Sequence, residues 1–193
     1  MVINPKLPTQ TVPEFIAYAK ANPGKINMAS QGTGLASHLM GELFKMMAGV
    51  NLVHVPYRDN FTADLIGGQV QVAFVPITNV IEFIRDGRLR PLAVTTAKRS
   101  ELLPGVPAIA EFLSGYDATG WNGIGAPKET PFAIIEKLNK EINDIIRDPG
   151  MKARLINLGL EPLAMTPDEF GKRIAVDTER WAKVIKFANV KAE

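Results

Sequence analysis

The segment NMASQGTGLASHLMGELF, residues 27–44, concentrates groups that can bind a small anion. Glycines at positions 32 and 34 would let the backbone approach an oxygen atom closely, between a predicted strand and a predicted helix. The N-terminus of a helix presents unpaired N–H groups and about half a positive charge. The side chains that add hydroxyl or amide groups are those of Ser30, Gln31, Thr33 and Ser37. The segment therefore predicts a carboxylate or phosphate site, with a plain strand-to-helix turn as the alternative.

Nucleotide binding is not favoured by this segment. The spacing Gly32-x-Gly34-x-x-Ser37 approaches a dinucleotide fingerprint, but the acidic residue expected after the next strand is missing. No lysine follows the glycines, which argues against a Walker-type phosphate loop.

No catalytic site is predicted either. Ser30 and His38 could be drawn as a nucleophile and its base, but the chain has no G-x-S-x-G turn. His38 is interpreted as packing or polar support, His54 as a satisfied core histidine, and Asp64 and Asp86 as solvated helix positions. We therefore expect no enzyme, no metal site and no cofactor.

Composition narrows the class of protein further. The 193 residues are 46% apolar and 22% charged, which is typical of a globular protein with a real core. A net charge of +2 without a dense basic run predicts no nucleic-acid partner. The absence of cysteine excludes disulfides and zinc–thiolate sites. No apolar run is long enough to span a bilayer, and MVINPKLPTQ does not fit the pattern of a signal peptide.

The elements that must position the anion segment alternate along the chain. Hydrophobic spacing and stop signals predict helices over 13–21, 35–48, 61–66 and 77–85, and strands over 25–30, 51–55, 69–75 and 91–95. This order predicts an α/β fold with a mainly parallel sheet flanked by helices. In such sheets, ligands sit outside the carboxyl ends of the strands.

The chain becomes helical after an extended, glycine-punctuated segment, ATGWNGIGA at residues 118–126. Helices are predicted to begin at Thr130-Pro131, at Asp148-Pro149 and at the capping box Thr166–Glu169. Their predicted inward positions are Ile135, Leu138, Ile142 and Ile145, and later Phe170, Ile174, Trp181, Val184 and Ala188. Amphipathic helices need a covering surface. These helices therefore either pack on the first unit or belong to a sheet that this chain lacks.

Several segments together resemble one family: SQGTGLASHLMGELFKMMAGV, VHVPYRDN, DLIGGQVQ, DGRLRPLAVTTAKRSELLPGVPAIAE and GWNGIGAPKETP. They resemble the TctC or Bug type of substrate-binding protein of tripartite tricarboxylate transporters, and TPDEF and RWAKVIKFANVKAE extend the likeness over essentially the whole chain. The resemblance implies a fold like that of type II periplasmic binding proteins, with two lobes. Residues 1–24 would form a segment and helix leading into the lobe, 25–119 the complete ligand-binding lobe, and 120–193 a crossover strand and the C-terminal helices of an incomplete other lobe.

The resemblance also implies a function, namely periplasmic capture of a small organic carboxylate for delivery to membrane transporter subunits. The implied ligand-binding residues are Ser30, Gln31, Gly32, Thr33, Gly34, Leu35, Ala36, Ser37, His38, Tyr57 and Val75. Family members usually carry hydroxyl residues in place of Leu35 and Ala36 and an aspartate in place of Val75. They are also longer at the N-terminus, where they carry a signal sequence and a ligand loop of the first lobe.

A second hypothesis follows from these departures. The chain could be a truncated interaction or remnant protein, which keeps the fold without closed-cleft binding. Such a protein could form a homodimer through its exposed C-terminal helices.

Overall fold

The structure is a computed structural model that describes residues 1–190. The chain divides into two compact units, the first built from Met1–Gly120 with the residues from Lys183 onward and the second from Trp121–Ala182. Among the described residues, no helix combines the length and the apolar character that crossing a membrane requires.

One five-stranded sheet forms the centre of the first unit. Its strands are β1 (Val2–Ile3), β2 (Asn27–Ser30), β3 (Val53–Pro56), β4 (Val72–Ala73) and β5 (Arg90–Pro91), in the order β3-β2-β4-β1-β5. Strand β2 runs parallel to β3 and β4, whereas β1 pairs antiparallel with β4 and β5. The α/β class and the mainly parallel sheet are confirmed, because β2, β3, β4 and β5 run in one direction and only β1 is reversed. Two-residue β1 was missed because so short a strand has no periodicity to detect.

Seven α-helices accompany the sheet in the described part of the chain. They are α1 (Val12–Ala21), α2 (Ala36–Ala48), α3 (Thr62–Gly67), α4 (Ile81–Arg85), α5 (Phe132–Arg147), α6 (Pro149–Asn157) and α7 (Pro167–Phe187). The predicted helix over 77–85 is instead a 3₁₀ turn, Ile77–Asn79, followed by α4. Helix α5 has Pro131 at its N-cap rather than Thr130, so no side chain caps it.

Local capping signals were predicted well. The Thr11 hydroxyl accepts the Glu14 N–H at 3.3 Å, while the Glu14 carboxylate accepts the N–H of Gln10 at 2.7 Å. Helix α2 ends at Gly49, whose φ of 63° is left-handed and suits glycine. The Thr166 and Glu169 box before α7 is likewise formed in both directions, at 2.8 and 3.2 Å.

The core fixes β2, and hence the start of the anion segment, from both faces. Met28 and Ala29 are fully buried on opposite faces of the strand. In the same core, the rings of Phe44 and Phe74 pack against each other with their centroids 5.6 Å apart. Helix α2 approaches this face closely because Gly41 has no side chain, and a Cβ there would overlap Met28.

The second unit is organised around a buried carboxylate. Asp177 accepts the indole N–H of Trp121 at 2.6 Å and the Nε–H of Arg173 at 2.9 Å. The Trp121 ring meets Phe170 edge to face, with centroids 5.1 Å apart. These contacts attach the glycine-punctuated segment to α7.

The predicted burial of the helical stripes is wrong in part. Val184 is fully buried, but Leu138, Ile145 and Ile174 are 46%, 52% and 42% exposed. The described residues of the second unit contain no strand, so its helices have no sheet of their own to cover them. The sequence pattern identified amphipathic helices correctly, but it could not show what covers them.

We predict opposite effects for alanine at two helical glycines. Gly41→Ala lowers the free energy of unfolding by about 1–3 kcal/mol, because the new Cβ overlaps Met28 and lies 3.2 Å from the Phe74 ring. Gly171→Ala in α7 raises it by about 0.5–1 kcal/mol, because nothing lies within 4 Å of the new Cβ.

Urea unfolding of both variants checks this prediction. A Gly41→Ala protein as stable as its parent would show that α2 does not rest on Met28 in this way.

Candidate functional site

The loop between β2 and α2 takes its shape from two glycines and an uncapped helix. Gly32 and Gly34 have φ angles of 141° and 78°, which side chains rarely tolerate. Leu35 is the N-cap residue of α2, and its side chain makes no capping hydrogen bond. The first N–H groups of α2 are therefore not satisfied by a cap.

Three amides of this loop are satisfied by side chains of the strand and helix on either side of it. The N–H of Gln31 donates to Ser37 Oγ at 2.9 Å, and that of Gly32 to Ser30 Oγ at 3.2 Å. The N–H of Gly34 donates to His38 Nδ1 at 3.0 Å. Because the acceptors belong to β2 and α2, they fix the loop backbone to both elements.

The two serines have a structural role in this loop. Ser30 is fully buried and Ser37 is 3% exposed, and both hydroxyl oxygens accept N–H groups of the loop. Direct contact of either hydroxyl with a ligand stays a prediction.

Three other amides remain open. The N–H groups of Thr33, Ala36 and Ser37 have no acceptor among residues 1–190. Ala36 and Ser37 are the first two residues of α2, where the helix carries about half a positive charge. Thr33 and Ala36 are exposed, so solvent or a ligand can reach them. This arrangement can bind a negative oxygen through neutral donors.

A stacked pair of histidines contacts both ends of the loop through hydrogen bonds. The rings of His38 and His54 are 3.6 Å apart and 11° from parallel, and His54 Nε2 lies 2.6 Å from Ser30 Oγ. Burial, followed by the neighbouring His38, lowers the pKa of His54 to about 4. His38 is 4% exposed and has the packed position that the sequence suggested, whereas His54 is only partly buried and is not a core histidine. Contact of His38 with a ligand stays a prediction.

A buried carboxylate completes this network. Glu42 Oε1 lies 3.5 Å from His38 Nε2 and 2.6 Å from Lys45 Nζ. Burial alone raises the pKa of Glu42, but hydrogen bonds with His38 and Lys45 outweigh it and hold the pKa below its ordinary value. No group of three or more potential metal ligands occurs in the part of the chain that the structure describes.

A cavity of about 410 Å³ lies beyond the ends of the parallel strands, where ligands bind in open sheets. Its lining residues are Gln31, Arg58, Asp59, Asn60, Phe61, Thr62, Val75, Asn79 and Val80. Gln31 and Val75 are therefore brought together, as the resemblance implies. Arg58 was missed in the sequence, although its place just after β3 was a usable signal.

Tyr57 has a different environment from the one that a ligand contact suggests. Its hydroxyl donates to Asp64 Oδ2 at 2.7 Å, and its ring packs on Phe61 with centroids 5.7 Å apart. Burial and then Asp64 raise the pKa of the phenol to about 12. Asp64 is thus not simply a solvated helix position. Contact of Tyr57 with a ligand stays a prediction.

Comparison with known proteins assigns the chain to a family. A family model described as "Tripartite tricarboxylate transporter family receptor", TctC, matches residues 1–190. The chain belongs to this family. The resemblance is confirmed, and so is the expectation of a non-enzymatic class, because TctC proteins are described as transporter receptors.

Three TctC-type relatives illustrate the match. Protein BugT of Bordetella pertussis is 35% identical and is matched over 99% of this chain and 60% of BugT. The solved structure "R. palustris Rpa4515 with adipate" is 32% identical with a TM-score of 0.81, over 98% of this chain and 64% of that one. The periplasmic binding protein BugD is 32% identical with a TM-score of 0.73, over 100% and 66%. The chain thus spans about two thirds or less of the length of these relatives.

We predict that His54 makes stability depend on pH. Its pKa is about 4 in the folded chain against 6.5 ordinarily, so between these values the unfolded state binds more protons. The free energy of unfolding therefore decreases as pH falls from about 6.5 toward 4. His54→Gln, which keeps a polar atom for Ser30 but does not titrate, reduces this decrease.

Urea unfolding at several pH values in that window measures both proteins. Equal slopes would show that His54 does not remain neutral in the folded chain.

Proposed function

We propose that the loop before α2 binds one carboxylate group of a small organic acid, as part of a solute-binding receptor for uptake of that acid. The observation that carries the proposal is the set of open amides at Thr33, Ala36 and Ser37. Membership of TctC supports it, as does adipate in the structure of Rpa4515. The ligand class is therefore a small organic carboxylate.

Main-chain amides, rather than side-chain charges, dominate this proposed site. The adjacent cavity has one guanidinium, that of Arg58, and one carboxylate, that of Asp59. Their charges oppose each other, so together they add little attraction for an anion. Donors at a helix N-terminus carry a fixed partial charge and need no counter-ion.

The receptor role adds a location and partners to the proposal. TctC is described as a transporter receptor and BugD as a periplasmic binding protein, which supports a periplasmic protein that delivers its ligand to membrane transporter subunits. Residues 25–119 would be the ligand-binding lobe, supported by the four strands β2 to β5 within that range. Residues 120–193 would belong to the other lobe.

We predict that Ala36→Pro weakens carboxylate binding about tenfold, because a hydrogen bond to a charged group contributes about 1.5 kcal/mol or more. The change removes one open N–H at the first position of α2, where proline is tolerated. Leu35 already has φ −75° and ψ 165°, which suits a residue before proline. The variant should therefore fold normally.

Calorimetric titration with adipate and a panel of di- and tricarboxylates provides the measurement. Ala36→Val is the matched control, since it adds a side chain of similar size but keeps the N–H. Equal affinities of the two variants, or no binding by the parent chain across the panel, would contradict the proposal.

A second candidate function is an interaction protein that associates with another copy of itself. It is supported by the apolar side chains that α5 leaves in solvent, including Leu138 and Ile145 at 46% and 52% exposure. Exposed apolar patches of this kind are typical of protein interfaces.

If α5 mediates self-association, Leu138→Glu shifts the chain toward monomer, because it places a charge in the apolar contact. Lys137→Glu, on the neighbouring exposed position, leaves the association unchanged. Sedimentation velocity at several concentrations measures both. A parent chain that is monomeric throughout excludes the homodimer.

A further inference from the structure

We propose that His38 is a positioning residue of the carboxylate loop, which holds the loop in its binding conformation through the lone pair of its Nδ1 atom. The inference rests on the proposed function, since it concerns the same loop. It makes one acceptor atom of a buried ring a determinant of ligand affinity.

The hydrogen bonds of the ring define its protonation state. The Gly34 N–H donates to Nδ1 at 3.0 Å, so Nδ1 must present a lone pair. The proton of the neutral ring is then on Nε2, which faces Glu42 Oε1 at 3.5 Å. His38 is only 4% exposed, and stacking on His54 fixes the plane of its ring.

Gly34 is the point where this ring acts on the loop. Its φ of 78° sets the path between Thr33 and the first residues of α2, which carry the open amides. The other two braces are the hydroxyls of Ser30 and Ser37, which can accept a hydrogen bond at any pH. Nδ1 of His38 is the one acceptor of the three that protonation converts into a donor.

Loss of this acceptor therefore leaves the part-buried Gly34 N–H unsatisfied. The Gly34 amide must then move to find another partner, and the open amides of the loop lose their arrangement.

The groups that face His38 among the described residues leave its Nδ1 atom to Gly34. Its own helix contributes Glu42, which lies on the Nε2 side of the ring and is paired with Lys45 at 2.6 Å, and strand β3 contributes His54.

Two substitutions separate the two nitrogens of the ring. In His38→Asn the side-chain oxygen can occupy the place of Nδ1 and accept the Gly34 N–H. In His38→Gln the polar group reaches the place of Nε2 and leaves Gly34 without an acceptor. Both variants keep a neutral amide, and neither titrates.

Two measurements test the proposal on the full chain. Titration with adipate, succinate and citrate at pH 7.5 is expected to give similar affinity for His38→Asn and the parent, and binding about tenfold weaker for His38→Gln. In the free chain, hydrogen exchange at the Gly34 amide is slow in the parent and His38→Asn and fast in His38→Gln.

The possible results separate this proposal from the function on which it rests. If the parent binds none of the acids, the proposed function fails, and Gly34 exchange alone decides whether His38 positions the loop. If both variants lose binding or Gly34 protection equally, His38 acts only through packing and the proposal is overturned. It is also overturned if His38→Gln binds the acids as tightly as His38→Asn.

Discussion

The backbone amides of residues 31–38 impose the constraint on which the rest of the site depends. Each must find an acceptor or remain accessible, because an unsatisfied buried N–H costs about 1–3 kcal/mol. Side-chain acceptors on Ser30, Ser37 and His38, at the two ends of the loop, satisfy three of them. The remaining open amides are thus held in fixed directions before a ligand binds. The binding free energy is then not reduced by the entropic cost of ordering them.

The loop can have this arrangement because its two ends are anchored in the core. Ser30 is the last residue of β2, which is paired on both sides and buried on both faces. Helix α2 packs closely on this strand because Gly41 has no side chain. His54, on the neighbouring strand, reaches Ser30 because parallel pairing aligns Met28 with His54 in register. Sheet register thereby determines the hydrogen bonding of the loop.

Sequence reasoning predicted the features that local patterns encode. The capping boxes before α1 and α7, the end of α2 at Gly49 and the loop between β2 and α2 all depend on residues within a few positions of each other. It failed where distant residues decide. The antiparallel pairing of β1, the contact of His54 with Ser30 and the cavity beside Arg58 all depend on tertiary packing.

The solvent-exposed stripe of α5 has a consequence for the energetics of the second unit. Leu138 and Ile145 are already about half exposed to solvent in the folded chain. Unfolding α5 therefore exposes little additional apolar surface at these positions. Heat-capacity change and denaturant sensitivity both scale with newly hydrated surface. Residue for residue, we expect unfolding of the second unit to change the heat capacity less than unfolding of the sheet-containing unit.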